Sequence, residues 1–299
     1  MCLRLLWLLA LLAANDARAQ DMEARLYSNA PVGLNFFVTG FAYSAGGLST
    51  DPDEALQNAK LPIETPVLGY SRVLDVWGMS GKFDVGIPMA HLSGSGDFKG
   101  VHATRDVSGL LDPGFRFSVN FIGAPALSLE EFRSYKQDLI VGASVQITAP
   151  LGQYDPSKLI NLGTNRWAIR PQIGASKAIG PVTLELAQSV NFFSNNNDFL
   201  GGQTLAQAPV YATRANLIYR IDTGISVILH GLYFVGGRTT LNGLQGDFLE
   251  TSRVGATLSF DVDKYSSVKL FSSKAVTVRK GTDYTIVGAA WVYRWGAGL

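Results

Sequence analysis

Hydrophobic and polar residues alternate along this chain in stretches of about ten residues, and segments rich in turn-forming residues separate the stretches. Residues 139–149, 182–192 and 253–261 show the pattern most clearly. In the first stretch, Val141 falls on one face with every second residue, and Ser144 falls on the opposite face. Because successive side chains of a strand point in opposite directions, each stretch predicts an amphipathic β-strand.

The whole chain reads as about twelve such strands, and the connections between them alternate in length. The less regular strands are expected at 34–43, 64–77, 225–235, 267–278 and 284–295. Tight turns are expected at Gly78, Gly180, Thr223-Gly224 and Asp263-Lys264, and longer polar loops at 44–62, 94–107, 150–164, 195–207 and 237–248. Short periplasmic turns and longer extracellular loops are typical of outer-membrane proteins. The pattern therefore predicts an all-β fold, a transmembrane antiparallel up-and-down β-barrel of about 12 strands over residues 34–299.

One connection on the short-turn side is long, and its sequence indicates a helix. It covers residues 123–137, where Ser128 is followed three positions later by Glu131. This spacing is typical of a capping box, in which the two residues satisfy free N–H groups at a helix start. We therefore expect a small periplasmic helix here.

The N-terminus predicts a cleaved signal peptide over residues 1–19. Arg4 precedes the apolar run 5–14, which is too short for a transmembrane helix of ~20 residues. Small residues then lead to a cleavage site after Ala19. Cys2 is the only cysteine, so a mature chain starting at residue 20 would have no disulfide and no thiolate site.

Residues 20–33 lie between the predicted signal peptide and the first predicted strand. Two interpretations remain open for this segment: a periplasmic tail, or a plug that folds into the lumen of the barrel.

The composition supports a barrel without a helical membrane anchor. Hydrophobic residues make up 47% of the chain and charged residues 16%, below the ~25% charged residues of typical soluble domains. The formal net charge of +1 gives no overall field that would favour nucleic acid. Alternation alone also fits a soluble β-sandwich or barrel, so the membrane interpretation depends on the signal peptide, the loop asymmetry and the chain end.

The chain end carries alternating aromatic residues, Trp291, Tyr293 and Trp295. This arrangement resembles the assembly signal in the last strand of outer-membrane barrels, although the tail 296–299 continues beyond the final aromatic residue. We expect these side chains to form part of an aromatic girdle at the membrane interface. The expected partners are therefore outer-membrane lipid and the barrel assembly machinery.

Six stretches of the chain are specific enough to indicate a family: RLYSNAPVGLNFF (25–37), DPGFRFSVNFIGAPALSLEEF (112–132), VGASVQITAPLGQYDPSKLINLGTNRWAIRPQIG (141–174), GGRTT (236–240), SRVGATL (252–258) and AWVYRW (290–295). They resemble the MetA-pathway of phenol degradation family of outer-membrane barrel transporters. The resemblance covers almost all of the chain after the signal peptide. It implies an outer-membrane barrel that moves small organic solutes, aromatic compounds among them, and it assigns no site residue.

Charged residues alternate with the apolar residues that are expected to face lipid. The predicted lumen-lining set is Lys82, Asp84, Arg116, Arg170, Glu185, Arg214, Arg253 and Lys269. An unpaired buried charge costs several kcal/mol, so these groups must contact water or one another. Two interpretations remain open: an ion-pair network that fills a narrow barrel, and a mildly cationic permeation path.

Two enzyme-like or metal-like patterns have simpler explanations. His91 and Ser93 share one strand face, as a general base and nucleophile would, but no acid that would orient the histidine is identifiable. Asp155, Asn161 and the run 195–198 offer oxygen ligands, yet Ca²⁺ needs about 6–8 of them. The sequence therefore predicts no catalytic residue, no metal site and no cofactor.

The protein expected from these patterns is an outer-membrane channel or passive transporter. Its expected small-molecule partners are the small organic solutes that pass through it. The alternatives are a structural or surface-binding barrel with a closed lumen and, third, an outer-membrane lipid hydrolase. No nucleic-acid partner is expected, and the oligomeric state is left open.

Overall fold

The computed structural model describes residues 24–49, 56–98 and 100–299. The predicted signal peptide, residues 1–19, lies outside these ranges and stays a prediction. Within them, no helix combines the length and the apolar character that a bilayer-spanning helix needs.

The described ranges contain these elements in chain order: β1 (Leu34–Ser49), β2 (Leu56–Lys60), β3 (Ile63–Val76), β4 (Met79–Phe98), β5 (Val101–Leu110), β6 (Gly114–Ile122), α1 (Leu129–Phe132), β7 (Leu139–Thr148), β8 (Ala168–Ile179), β9 (Val182–Phe193), β10 (Asn196–Phe199), β11 (Gln203–Gln207), β12 (Val210–Asp222), β13 (Ile225–Gly236), β14 (Thr239–Leu241), β15 (Leu244–Gln245), β16 (Leu249–Asp261) and β17 (Ser266–Gly296).

A closed antiparallel barrel of 12 strands forms the body of the protein. Its wall runs β1, β3, β4, β6, β7, β8, β9, β12, β13, β16 and then both halves of β17. Residues 267–280 pair with β16, and residues 281–296 return to pair with β1 from Ser49↔Gly281 to Leu34↔Gly296. The last strand thus closes on the first, and the predicted fold class is confirmed.

Four of the five predicted extracellular loops contain strands, so the prediction of loops there was wrong. The stretch 44–62 holds the end of β1 and all of β2. The stretch 94–107 mostly continues the β4–β5 hairpin, with Ser93↔Asp106 and Asp97↔His102 as partners. The stretches 195–207 and 237–248 contribute β10, β11, β14 and β15 to a separate four-stranded sheet. Their Ser, Gly and Asn content resembled loops, but ladder hydrogen bonds satisfy the polar backbone groups of these segments.

A short helix is present in the long periplasmic connection, at α1. Its N-cap Ser128 accepts a hydrogen bond from the Glu131 backbone N–H at 3.3 Å, and the Glu131 carboxylate accepts one from the Ser128 N–H at 2.8 Å. Both hydrogen bonds of a capping box are therefore made. The same connection is tied to the β3–β4 turn, because Ser80 N–H donates to the Ala124 carbonyl at 2.9 Å.

The outer wall is apolar and carries a row of aromatic side chains near the periplasmic end. Tyr293 stacks between Trp291 and Trp295, with ring centroids 5.7 and 5.9 Å away, and Trp295 also meets Tyr70 at 6.1 Å. Leu217 and the other outward aliphatic residues of the wall are exposed. A closed barrel with an apolar exterior and an aromatic girdle is built for the outer membrane, as the sequence predicted.

Candidate functional site

The inner wall of the barrel is polar where the outer wall is apolar. On β12, Arg214 and Asn216 are buried, whereas Tyr211 and Leu217 on the alternate positions are 54% and 40% exposed. The eight charged side chains predicted to line the lumen all occupy such alternate positions and are buried or half-buried. The period-two pattern therefore places one charged set on one face of the wall.

One row of these side chains crosses neighbouring strands at a single level. Asp84 pairs in register with Arg116, Arg116 with Gln146, and Gln146 with Arg170. Arg116 Nε donates to Asp84 Oδ2 at 2.9 Å, and Arg170 Nη2 donates to Gln146 Oε1 at 2.7 Å. Asp84 is thus engaged by a guanidinium, and this part of the row is a structural ladder.

The segment before β1 contacts the inner wall through polar groups. Arg25 donates its backbone N–H to Glu185 Oε2 at 3.0 Å and its Nη2 to Ser226 Oγ at 3.0 Å. Lys82 Nζ donates to the carbonyls of Leu26 and Ser28 at 3.1 and 2.8 Å. We call residues 24–33 the N-terminal segment from here on.

Tyr27 is the most deeply packed side chain of the N-terminal segment. It is 3% exposed, and its hydroxyl accepts a hydrogen bond from Gln172 Nε2 at 3.1 Å. Its ring lies against the inner face at Gly142 and Gly174, where an added Cβ would overlap the ring. Glycine at these two positions creates the space that the ring occupies.

The periplasmic connection 123–138 holds the other end of the N-terminal segment. Val32 N–H donates to the Leu127 carbonyl at 2.8 Å, and Asn29 Nδ2 donates to the Pro125 carbonyl at 3.1 Å. The segment is therefore fixed between the inner wall and this connection.

A chain of hydrogen bonds runs from Glu185 into the lumen wall. Glu185 Oε2 accepts from Asn216 Nδ2 at 3.0 Å, and Asn216 Oδ1 lies 2.9 Å from His230 Nδ1. His230 Nε2 lies 2.9 Å from Thr257 Oγ1. A neutral histidine that donates from Nδ1 and accepts at Nε2 satisfies both contacts.

The remaining predicted lumen residues make different contacts. Arg214 Nη1 donates to Gln172 Oε1 at 3.3 Å, and Arg253 Nη2 donates to the Tyr284 carbonyl at 2.8 Å. Lys269 forms no hydrogen bond or ion pair with the described residues, although like-charge repulsion from Arg25 reaches it. The structure thus brings the eight together on one face, where seven of them make hydrogen bonds or ion pairs with the described residues and the half-buried Lys269 does not.

The extracellular end of the lumen is filled by apolar side chains. Inward residues of β1, β4 and β17, among them Leu92 and Ile286, are buried around Leu162 of the predicted loop 150–164, with Ile160 packed against them. This loop therefore folds into the barrel mouth.

A buried carboxylate anchors the loop 150–164. Asp112 is 7% exposed and accepts hydrogen bonds from Gly152 N–H at 2.8 Å, Thr164 N–H at 2.7 Å and Thr164 Oγ1 at 2.6 Å. Above it, Arg166 donates Nη2 to Gln207 Oε1 at 2.6 Å and lies 4.3 Å from the Phe193 ring centroid. The loop 150–164 is therefore a fixed part of the structure that fills the extracellular end of the lumen.

The structure changes the pairing suggested for His91. Its Nδ1 lies 2.7 Å from Ser108 Oγ on the neighbouring strand, and its Nε2 lies 4.0 Å from Asp106 Oδ2. The partner is therefore the cross-strand Ser108 and not Ser93. The cluster sits on the exposed face of the β4–β5 hairpin, and the Asp106 side chain is 72% exposed.

The suggested calcium ligands satisfy each other. Asn161 Nδ2 donates to the carbonyls of Asp155 and Lys158, both at 3.0 Å, and Asn161 Oδ1 accepts from the Asp155 N–H at 2.9 Å. An amide that turns its donors inward closes a loop instead of coordinating an ion. Among the described residues no group of three or more His, Cys, Asp or Glu side chains is arranged for a metal ion.

Sequence reasoning missed Arg25, Tyr27, Asp112 and His230. His230 lies on the inward face of a strand that was recognised, so the alternation alone would have found it. Asp112 lies between two strands, and its partners Gly152 and Thr164 are 40 and 52 positions away in the sequence. No local signal marks the contacts of Arg25 and Tyr27.

Comparison with known proteins agrees with this architecture. Residues 44–291 match the family described as Putative MetA-pathway of phenol degradation. No curated protein matches the sequence.

Among solved structures, an outer membrane channel from Pseudomonas putida F1 is 20% identical, with a TM-score of 0.78 over 92% of this chain and 100% of that chain. The transport unit of the autotransporter AIDA-I from Escherichia coli is 9% identical, with a TM-score of 0.55 over 94% and 96% of the two chains. The translocator domain of the autotransporter NalP from Neisseria meningitidis is 10% identical, with a TM-score of 0.53 over 97% and 99%. At these identities the likeness is one of fold.

Proposed function

We propose that this chain, which belongs to the family described as Putative MetA-pathway of phenol degradation, is an outer-membrane channel for small organic solutes, aromatic compounds among them. The observation that carries the proposal is the polar inner wall of a closed barrel with an apolar exterior. A wall of charged and amide groups needs water or a polar solute against it. Passage would be passive, without a cofactor.

The lumen-lining set gives this path its proposed selectivity. Six of its eight members are cationic, namely Lys82, Arg116, Arg170, Arg214, Arg253 and Lys269. Rings of charged side chains set the selectivity of other pores. Within the set, Asp84 and Arg116 form an ion pair with each other, and this contact favours a structural role for both.

The N-terminal segment is proposed to be the periplasmic plug of this channel. Arg25, Lys82 and Glu185 join it to the inner wall through hydrogen bonds of 2.8 to 3.1 Å. Each of these hydrogen bonds involves a charged group and contributes about 1.5–3 kcal/mol net, because water replaces it when it opens. Leu26 and Tyr27 are buried as well, so release of the plug from the lumen costs several kcal/mol.

The test is ion conductance of purified full-length protein in a planar bilayer, compared with a variant that lacks residues 20–31. Removal of the plug should raise single-channel conductance several-fold while the folded protein keeps its heat-dependent mobility on a detergent gel. A barrel that conducts nothing in either form would contradict the channel.

A surface-binding or structural barrel with a closed lumen is the second candidate. It is favoured by the burial of Leu162 at the extracellular end, because both ends of the lumen are then occupied. The same bilayer experiment separates the candidates. Conductance that stays at zero after plug removal would favour the closed barrel.

We also propose that the barrel is not a hydrolase. The cluster of His91, Ser108 and Asp106 lies on an exposed strand face, and the 4.0 Å gap to Asp106 is too long for a hydrogen bond that would orient the histidine. Hydrolysis of phospholipid by the purified protein that disappears in Ser108→Ala and persists in Ser93→Ala would overturn this proposal.

Assembly by the outer-membrane machinery is proposed to depend on the terminal strand. Tyr293→Asp should lower the amount of folded barrel in the membrane far more than Val292→Thr, because Tyr293 is part of the stacked outer row and Val292 points inward. Quantitative blotting of membranes measures both. Equal amounts of the two variants would show that the aromatic row is not read.

A further inference from the structure

We infer that the periplasmic half of the lumen holds a binding site for the carboxylate of a small organic acid, formed by Arg25 and Lys269 with the hydroxyls of Ser226 and Ser259. This inference identifies small organic acids as the solute class of the channel, and it rests on the proposed channel function.

Strand register brings the four groups to one level. Ser226 on β13 pairs with Ser259 on β16, and Ser259 pairs with Lys269 on β17. With strands about 4.8 Å apart, the backbones of Ser226 and Lys269 are roughly 10 Å apart, with Ser259 between them. Arg25 Nη2 lies 3.0 Å from Ser226 Oγ, so the guanidinium stands at one end of this row and the ammonium at the other.

The charges around this row do not balance. Lys82 adds a third positive charge, because its Nζ donates to the carbonyl of Leu26 beside Arg25. Glu185 is the nearby carboxylate, and it accepts hydrogen bonds from the backbone N–H of Arg25 and from Asn216. The described contacts therefore leave three cations against one carboxylate.

The other acids near the row also attract Arg25 and Lys82, but each of them already pairs with another cation. Asp84 pairs with Arg116 at 2.9 Å, and Asp261, at the periplasmic rim, lies 3.4 Å from Arg294 Nη2. Arg220 adds further positive charge near Arg25. A surplus of positive charge in a confined lumen attracts an anion, since unpaired charge away from bulk water is costly.

The donor set suits a carboxylate. A guanidinium offers a planar pair of N–H donors that match the two oxygens of a carboxylate, and an ammonium adds a point charge. Lys269 forms no hydrogen bond with the described residues, so its three N–H donors are available to a ligand.

Apolar side chains occupy the next level of the same wall. Ile228 on β13 pairs with Thr257, and Thr257 pairs with Phe271 on β17, two residues along from Lys269. Because residues two apart share a face, Ile228 and Phe271 lie directly beside the charged row. An anion with a hydrocarbon body fits this arrangement better than a fully polar one such as phosphate.

The experiment measures the block of ion current by benzoate in full-length protein, with benzyl alcohol as the neutral analogue and inorganic phosphate as the polar anion. Benzoate should reduce the current at concentrations where the other two do not. Lys269→Gln should raise the benzoate concentration for half-block at least about tenfold, equivalent to 1.4 kcal/mol. Lys274→Gln is the matched control, because Lys274 lies on the same strand and is exposed on the outer face.

A second measurement keeps the site testable if the protein does not conduct. A ligand that binds the folded state raises its unfolding temperature, so benzoate should stabilise wild type and Lys274→Gln in detergent but not Lys269→Gln. If benzoate stabilises the protein in this selective way but no conductance is observed, the proposed channel function is overturned and the proposed carboxylate site is supported. Conductance with equal effects of benzoate and benzyl alcohol, or of benzoate and phosphate, would overturn the site and leave the channel standing.

Discussion

Different kinds of contact hold the chain segments that lie at the two ends of the lumen. At the periplasmic end, polar side chains such as Lys82 and Glu185 hold backbone groups of the N-terminal segment. At the extracellular end, Leu162 is buried among inward apolar side chains, and Asp112 anchors its loop. The periplasmic closure, proposed above as a plug, thus combines hydrogen bonds with the burial of Leu26 and Tyr27, whereas the extracellular closure is built on a larger apolar cluster.

This difference has an energetic consequence. The polar contacts at the periplasmic end involve charged groups, so each contributes about 1.5–3 kcal/mol net after water replaces it. Exposing a buried Leu side chain costs roughly 1.5–3 kcal/mol, and a buried carboxylate that loses its donors costs more. Because the extracellular closure buries the larger apolar cluster and a carboxylate as well, the periplasmic closure should open more readily, and the extracellular closure should belong to the stable fold.

The largest effect is expected from Asp112→Ala, which attacks the extracellular closure. The change leaves the N–H groups of Gly152 and Thr164 without their acceptor in a buried place, at a cost of roughly 3 kcal/mol. The folded band on a detergent gel should convert to the unfolded band at a clearly lower temperature. Asp198→Ala, at an exposed extracellular aspartate, is the control. Equal conversion temperatures for the two variants would show that the loop is not anchored there.

The next largest effect is expected from Gly174→Ala, which attacks the periplasmic closure. The new Cβ would overlap the Tyr27 ring, so the N-terminal segment should leave its place and conductance should rise. Gly231→Ala is the control, since the nearest atom to a Cβ there is 3.9 Å away. Unchanged current in Gly174→Ala would mean that Tyr27 does not block the path.

A smaller effect is expected from Arg214→Gln, which tests the wall beside the plug. Arg214 donates to Gln172, and Gln172 donates to the Tyr27 hydroxyl, so the residue lies next to both lumen and plug. Loss of one fixed positive charge should shift permeability from anions towards cations, within the screening length of about 8 Å at physiological salt. Arg238→Gln, an exposed extracellular arginine, is the control for reversal-potential measurements. If Arg214→Gln loses the gel mobility of the folded protein, Arg214 stabilises the fold and does not set ion selectivity.

The two closures also differ in how far the sequence predicts them. The strands of the barrel wall are predicted by period-two alternation, which is a local pattern. Neighbouring residues alone therefore assign Lys82 to the inner face and Phe83 to the outer face of their strand. The closures depend on contacts between distant positions. Arg25 meets Glu185, and Asp112 meets Thr164, and neither pair is marked by any spacing in the sequence.

The β4–β5 hairpin shows another limit of prediction from sequence. Residues 93–97 are a run of serine, glycine and aspartate, a composition typical of loops. Composition therefore conceals a strand here, because the backbone ladder continues without a break from Met89↔Leu110 to Phe98↔Val101.

The smallest effect is expected from acid at α1, in the connection that holds the N-terminal segment. Hydrogen bonds from the Ser128 N–H and hydroxyl keep the pKa of Glu131 below its usual range. The folded state therefore gains stability from the ionised carboxylate above the ordinary glutamate pKa, and loses it as the pH falls through the lowered pKa. Val32, which donates to the Leu127 carbonyl next to the helix cap, should then exchange its amide hydrogen faster, after correction for the intrinsic rate. Because Glu131 is fully exposed, the change should be small. Glu131→Gln should remove this acid dependence and Glu130→Gln should keep it, whereas the same dependence in both variants would disconnect the helix cap from the plug.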